Sequence, residues 1–376
     1  MSEKIAGRRS QIAVVGPVYP YRAGIAYCTT RLAEELAKTF DVSIVSFKRQ
    51  YPKRFYPGGD DIDPTLRDHT PDNAQFVLDI VNPLTWLRTA MRLRRQRPDA
   101  IILVWWIWVW ALPYLTILTL MRRGTRVILQ CHNIGDKEPA WWKSALTNRV
   151  LRRGNVLVVH AESELHDAVA RAGGRRVVKA HLPVHELGGA IPSRHEAKGH
   201  LHLHGRDVAL FFGHIRPFKG LDIALEAWKK LNSDVVLLVA GEPWWNTTEA
   251  RGPSPEANIR YDLRFIPDSE VATYFSAADV VLAPYRIEAQ SGVALTAFHF
   301  ARPVIASRVG GLPEIVRDGV NGYLVPAEDP EALANAIDRF FSEADRGSME
   351  RAAAETAKAN SWEDYASGFV RLVERP

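Results

Sequence analysis

Arg216 and Lys219 stand three residues apart in GHIRPFKG, directly after the apolar run 208–212. The pattern places two cations at the carboxyl end of a buried strand and the start of the next helix. A planar guanidinium fork beside a compact ammonium suits a diphosphate. When a bond to that diphosphate breaks, the departing group gains negative charge, and cations held there favour the transition state over the ground state. Gly213 opens this loop. A second loop, APYRIEAQSGVALT over 283–296, carries Glu288, an acid able to accept hydrogen bonds from hydroxyl groups. Ser291, Gly292 and Val293 then begin a helix whose first N–H groups are available to an anion, and Thr296 closes the segment. A third loop, GPVYPYRAGIAY over 16–27, has Gly24 opening its helix, which permits close backbone approach. It matches neither GxGxxG nor GxxxxGK[ST], so an ordinary strand-to-helix turn explains it equally well.

Other reactive side chains read differently. Asp61-Ile62-Asp63 is a D-x-D string of the metal-holding type, but its Gly- and Pro-rich setting reads as a solvated loop. His200, His202 and His204 alternate as on one strand face, yet fall in a presumed linker, and no metal site is expected. Trp105, Trp106, Trp108 and Trp110 follow a strand, where indoles stack on sugar rings or lipid chains, or simply fill a core. Trp141, Trp142, Trp244 and Trp245 are ambiguous in the same way. Residues 84–97 form a basic amphipathic helix with Arg88, Arg92, Arg94, Arg95 and Arg97, and Trp86, Leu87, Ala90 and Met91 as its apolar side. Such a helix docks on an anionic membrane or packs against its own domain.

The elements that position these residues alternate. Short apolar strands at 12–15, 42–47, 101–104, 127–130, 156–159 and 177–180 are separated by helical sequence. After a polar, histidine-rich stretch at 186–206, alternation restarts at 208–212 and runs through 235–240, 259–265, 280–283 and 303–307. Buried strands separated by helices mean parallel sheets covered on both faces. The expected architecture is α/β: two Rossmann-like domains facing across a cleft, with ligands at the strands' carboxyl ends. The domains expected are 1–185, a linker 186–206, and 207–358. A final helix over 359–376, with Trp362, Tyr365, Phe369 and Leu372 on one side, finishes the second domain or packs back on the first.

Bulk properties agree. The 376 residues suit two domains, and 47% hydrophobic with 24% charged residues is an ordinary globular composition. Two cysteines, Cys28 and Cys131, argue against a disulfide scaffold and fit a reducing compartment. The N-terminus lacks a secretory pattern, so a cytoplasmic protein is expected, at most peripheral on the inner face of the membrane. The net charge of +5 calls for an anionic partner, and no nucleic-acid module accompanies it. Residues 101–121 are uncharged over a bilayer-spanning length, but Pro113 and four tryptophans interrupt the run, favouring a buried strand and helix.

Three segments together, ARPVIASRVGGLPEIVRDGVNGYLVPAEDPEALANAI, GHIRPFKGLDIALEAW and PYRAGIAYCTTRLAEEL, resemble the family 4 retaining glycosyltransferases of the GT-B fold. The resemblance covers most of the chain and is densest in the second half. It implies that Arg216 and Lys219 are the diphosphate-binding pair and that Gly24 belongs to the N-terminal glycine loop by the phosphates and acceptor. His132 matches a strand-end histidine that contacts the donor sugar. Glu288 matches the first acid of an E-x7-E motif, and Phe265 and Ile266 fall where the family's backbone contacts the base. The resemblance also implies a UDP- or GDP-linked sugar donor, a glycan or lipid-linked acceptor, an N-terminal acceptor domain, a C-terminal donor domain, and no metal or other cofactor for chemistry. One position departs: the second acid, which holds the ribose hydroxyls, is Thr296 here. The expected reaction is hexose transfer with retention in cell-surface polysaccharide or glycoconjugate synthesis. The rival expectations are a nucleotide-sugar binder without catalysis, with Thr296 as its trace, and a sugar-nucleotide epimerase of the same fold.

Overall fold

The computed structural model describes residues 9–22, 24–51, 61–135, 140–186, 190–231, 234–244, 258–288 and 290–374. They fall into two compact units, one running to Leu182 and taking up the chain again from Trp362, the other spanning Pro183 to Ser361.

In the first unit the strands are β1 (Gln11–Val15), β2 (Asp41–Arg49), β3 (Ala74–Asp79), β4 (Ala100–Trp105), β5 (Arg126–Cys131), β6 (Val156–Val159) and β7 (Arg176–Lys179). Between them lie α1 (Gly24–Ala37), α2 (Pro83–Gln96), α3 (Ala111–Leu120), α4 (Trp141–Leu151) and α5 (Glu162–Arg171). The sheet is parallel throughout, in the order β3-β2-β1-β4-β5-β6-β7. β1 and β4 are apolar along almost their whole length because helices cover both faces.

The second unit begins with α6 (Arg194–His200), then β8 (Val208–Phe212), α7 (Leu221–Trp228), β9 (Val236–Ala240), β10 (Ile259–Asp262) and α8 (Asp268–Ala277). It continues with β11 (Val280–Ala283), α9 (Gly292–His299), β12 (Val304–Ser307), α10 (Leu312–Ile315) and β13 (Gly322–Val325), and ends in α11 (Pro330–Ser342) and α12 (Arg346–Lys358). Its parallel sheet runs β10-β9-β8-β11-β12-β13. Both sheets thus repeat the doubly wound order, each with a switch point beside its first strand, at β1/β4 and at β8/β11. Two Rossmann-like domains are present.

The last helix, α13 (Trp362–Glu374), belongs to the first unit and packs on α1. Trp362 is fully buried, edge-on to Tyr27 at 5.7 Å, and Gln130 Nε2 donates to the Tyr365 hydroxyl at 2.9 Å. Its apolar side is the one the spacing predicts.

Several expectations change. The 186–206 stretch reads as linker but carries α6, opened by a capping box between Ser193 and Glu196. Lys198 donates to Arg206 O at 2.7 Å and to Asp279 Oδ2 at 2.8 Å, and that oxygen also accepts from Val208 N. A buried lysine with these partners ties the stretch into the second unit. His202 has a positive φ of 56°, so the three alternating histidines do not share a strand face. Asp61-Ile62-Asp63 is only partly solvated: Ile62 bridges Tyr21, and buried Asp63 accepts from Thr65 N and Oγ1 at 2.9 and 2.7 Å. Asp63 is a cap for the turn that follows. Trp105, Trp106 and Trp110 are buried core, with Trp110 4.1 Å from Phe47. Trp245 falls outside the described residues. Among those described, no helix is long and apolar enough to cross a membrane, and no group of His, Cys, Asp and Glu could hold a metal ion.

Candidate functional site

At the second unit's switch point, the loops after β8 and β11 run side by side because those strands are paired. Arg286 fastens them together. Its N–H donates to Phe218 O at 2.8 Å and its Nη1 to Pro217 O at 2.6 Å. The same guanidinium grips Asp222 with both Nη atoms, at 2.8 and 2.5 Å, and reaches Glu328 at 2.9 Å. The hydrogen bonds it donates to Asp222 push its pKa above the ordinary arginine range, so the clamp stays charged. Nothing in the sequence pattern singles Arg286 out, because its partners lie 42 and 64 residues away.

That clamp presents Lys219. Its ammonium sits 3.8 Å above the Tyr285 ring and pairs with the Glu288 carboxylate. Burial pulls the lysine pKa down, but Tyr285 and Glu288 more than offset it, and the value lies above the ordinary one. Lys219 is therefore a fixed, largely desolvated positive charge at neutral pH. Arg216 stacks its guanidinium 3.9 Å over Trp244, and Trp244 Nε1 donates to Glu242 at 3.2 Å. Trp244, ambiguous from sequence, is thus the platform under Arg216, and Tyr285, the platform under Lys219, is a neighbour that the sequence pattern does not single out.

α9 starts beside this cluster. Buried Ser291 caps it, its Oγ accepting from Ala294 N at 3.2 Å. Gly292 faces the His185 ring, which would lie 3.2 Å from any Cβ placed there. Gly213, at the end of β8, abuts Val293 in the same way, at 3.5 Å. Arg216, Lys219, Glu288, Gly213, Ser291, Gly292 and Val293 thus surround one end of one sheet. Phe265 and Ile266 stand apart, past the edge strand β10, two strands from β8.

Thr296 is also on α9, one turn in. Its hydroxyl donates to Gly292 O at 2.8 Å, within the helix. Thr296→Val is therefore expected to leave nucleotide affinity within roughly threefold of wild type, since it removes a group already satisfied locally. A tenfold loss, by calorimetric titration, would mean instead that the hydroxyl reaches the ligand.

In the first unit, Gly24 opens α1 after β1 and His132 follows the last residue of β5. His132 N donates to Trp105 O at 2.8 Å, and its ring lies 5.1 Å from that of His160. His160 is buried and its Nδ1–H donates to Ala180 O at 2.8 Å; burial pulls its pKa down to about 4. The unfolded chain protonates this histidine near the ordinary value while the folded chain resists, so stability is full at neutral pH and falls as pH drops toward 4. Between pH 7 and pH 5 the loss is on the order of 2 kcal/mol. Urea titrations at both pH values check it: His160→Gln should flatten that dependence, and an unchanged slope rules the assignment out.

Comparison with known proteins closes the question of kinship. Residues 206–343 match the family described as Glycosyl transferases group 1, and residues 23–184 match the Glycosyl transferase 4-like domain. The chain belongs to the family 4 glycosyltransferases of GT-B type. Among relatives, D-inositol 3-phosphate glycosyltransferase of Mycobacterium marinum is 36% identical over 178 residues, 45% of this chain and 38% of that protein. The chain thus matches less than two fifths of the length of those curated relatives. Among solved structures, sucrose-phosphate synthase from Thermosynechococcus elongatus aligns with a TM-score of 0.75 at 19% identity, over 97% of this chain and 98% of that one. Anabaena HepE in complex with UDP and glucose aligns at 0.77 and 14% identity, over 98% and 100%. At these identities the structural likeness speaks for the GT-B fold. In this chain Thr296 stands where the resemblance expects the second acid, and its hydroxyl is turned into its own helix.

Proposed function

We propose that the chain moves a hexose, with retention, from a nucleoside diphosphate sugar to a hydroxyl of a glycan or lipid-linked acceptor, in the synthesis of a cell-surface polysaccharide or glycoconjugate. The observation that carries the reading is Lys219: a largely buried ammonium held by Tyr285 and Glu288 beside the capped start of α9 and next to Arg216. As the bond between the anomeric carbon and the β-phosphate oxygen breaks, its electron pair leaves with the diphosphate. Lys219, Arg216 and the first N–H groups of α9 stabilise that growing charge without reorganising. Glu288, at the same end of the sheet, accepts from sugar hydroxyls. The departing phosphate oxygen takes the acceptor's proton on the face it leaves, which accounts for retention without a protein nucleophile. Phe265 and Ile266 are the proposed base contacts, and Gly24 and His132 the proposed ligand contacts of the first unit. Work takes place on the cytoplasmic side, where nucleotide sugars are made available.

UDP is the first nucleotide to try, because HepE is described in complex with UDP and with UDP-glucose; GDP is the second. Thermal shift against UDP-, GDP- and ADP-sugars, followed by proton NMR of the product's anomeric configuration, tests the reading. Stabilisation by one nucleotide and a product keeping the donor's configuration are expected. An inverted product, or no stabilisation and no nucleotide release with any donor, overturns it.

A further inference from the structure

Helix α2 turns the wrong side chains outward for a helix that merely covers a sheet. The sequence reading puts Trp86, Leu87, Ala90 and Met91 on one apolar side; the structure divides them. Thr89, Ala90 and Leu93 are buried with Trp86 half-buried beside them, whereas Leu84, Leu87 and Met91 are 58%, 43% and 47% exposed. These three recur at helical spacing, so they make one strip along the outer face. Arg88, Arg92 and Arg95 make a second strip alongside it, and with Met91 and Gln96 they line a shallow groove. Between Asp79 and Asp99 the chain carries five arginines and no acid. Neither flanking aspartate opposes them, since Asp79 pairs with Arg49 at 2.9 Å and Asp99 accepts from Gln11 N at 2.8 Å.

We propose that α2 is a membrane-seating helix, with Leu84, Leu87 and Met91 entering the acyl boundary of an anionic leaflet while Arg88, Arg92 and Arg95 hold lipid phosphates. Both strips face solvent along the same stretch of helix, and a leaflet offers both things they need in one plane: apolar depth and a layer of phosphate. An acidic protein groove would match the arginines, but it gives no reason for three large aliphatics on the same exposed face. Guanidinium forks, rather than ammonium groups, suit bidentate contact with phosphate. The inference does not rest on the sugar-transfer reading, although a lipid-linked acceptor would be found at such a surface.

Flotation of the full chain with vesicles tests it. Binding to phosphatidylcholine–phosphatidylglycerol in roughly equal parts is expected to exceed binding to pure phosphatidylcholine by about 100-fold, and to weaken with salt. The triple variant Arg88→Glu/Arg92→Glu/Arg95→Glu should lose about that factor. Leu84→Ser/Leu87→Ser/Met91→Ser, with the charges intact, should lose roughly tenfold or more. Both variants should keep the wild-type melting temperature and release nucleotide from a donor sugar as wild type does, so a failed flotation is distinct from a failed transferase. Equal binding to both vesicles, no binding to either, or loss in the charge variant alone overturns the proposal.

Discussion

Lys219→Ala is expected to lower turnover by roughly 10²–10³-fold, the usual cost of removing one preorganised charge from a developing anion. The magnitude follows from where the ammonium sits. Its side chain is 17% exposed, it cannot drift off the Tyr285 ring without losing Glu288, and it is charged throughout the neutral range. A surface lysine replaced by water would cost little; a desolvated, fixed one has no substitute. The variant also strips Glu288 of its ammonium partner in a site where that carboxylate is 10% exposed, which costs stability of its own. The double variant Lys219→Ala/Glu288→Gln separates the two effects. It should recover the melting temperature and stay as inactive as the single variant. If Lys219→Ala turns over within threefold of wild type, or if the double variant regains activity, the charge at this position does not act on the leaving group.

How much of this was legible beforehand depends on range along the chain. Apolar strands such as β8 and β11, the loops that follow them, and the paired cations Arg216 and Lys219 are local patterns, and each is visible in a window of ten or so residues. The C-terminal helix declared its buried side through Trp362, Tyr365, Phe369 and Leu372 for the same reason. β3, AQFVLD, does not read as a strand because its polar residues and partly exposed face hide the alternation; only pairing with β2 fixes it as an edge strand. α6 reads as linker because its anchor, Asp279, is 81 residues from Lys198. α2 reads as having one apolar side where the fold gives it two, since two aliphatic strips on one helix look alike until β3 and α3 cover one of them. The site divides along the same line. Lys219 and Glu288 could be named as candidates, yet that they are partners, with Tyr285 beneath and Arg286 clamping the loops, is a fact of strand order that no window contains.

Gly220→Ala is expected to destabilise the second unit by roughly 3 kcal/mol or more and to remove activity with it. Gly220 has φ 70° and ψ 35°, a left-handed conformation that costs a residue with a Cβ about 1–2 kcal/mol. Strain is the smaller part. A Cβ there would fall 2.0 Å from Pro284 O and 3.0 Å from Ile223 Cδ1. The carbonyl has no room to yield, because Arg286 N bonds Phe218 O and Lys219 N bonds Arg216 O on either side of the contact. Relief must therefore come from parting the β8 and β11 loops, and the residue next to Gly220 is Lys219. Gly319 supplies the control: its φ is 73°, but a Cβ there meets nothing within 4 Å. Gly319→Ala should show the conformational cost alone, about 1–2 kcal/mol, with turnover per folded molecule unchanged. Thermal and urea unfolding of both variants, with turnover measured well below their melting temperatures, distinguishes the cases. Equal losses in the two would show that close approach of the loops contributes nothing. A Gly220→Ala protein that is less stable but fully active would show that Lys219 does not need that approach to hold its place.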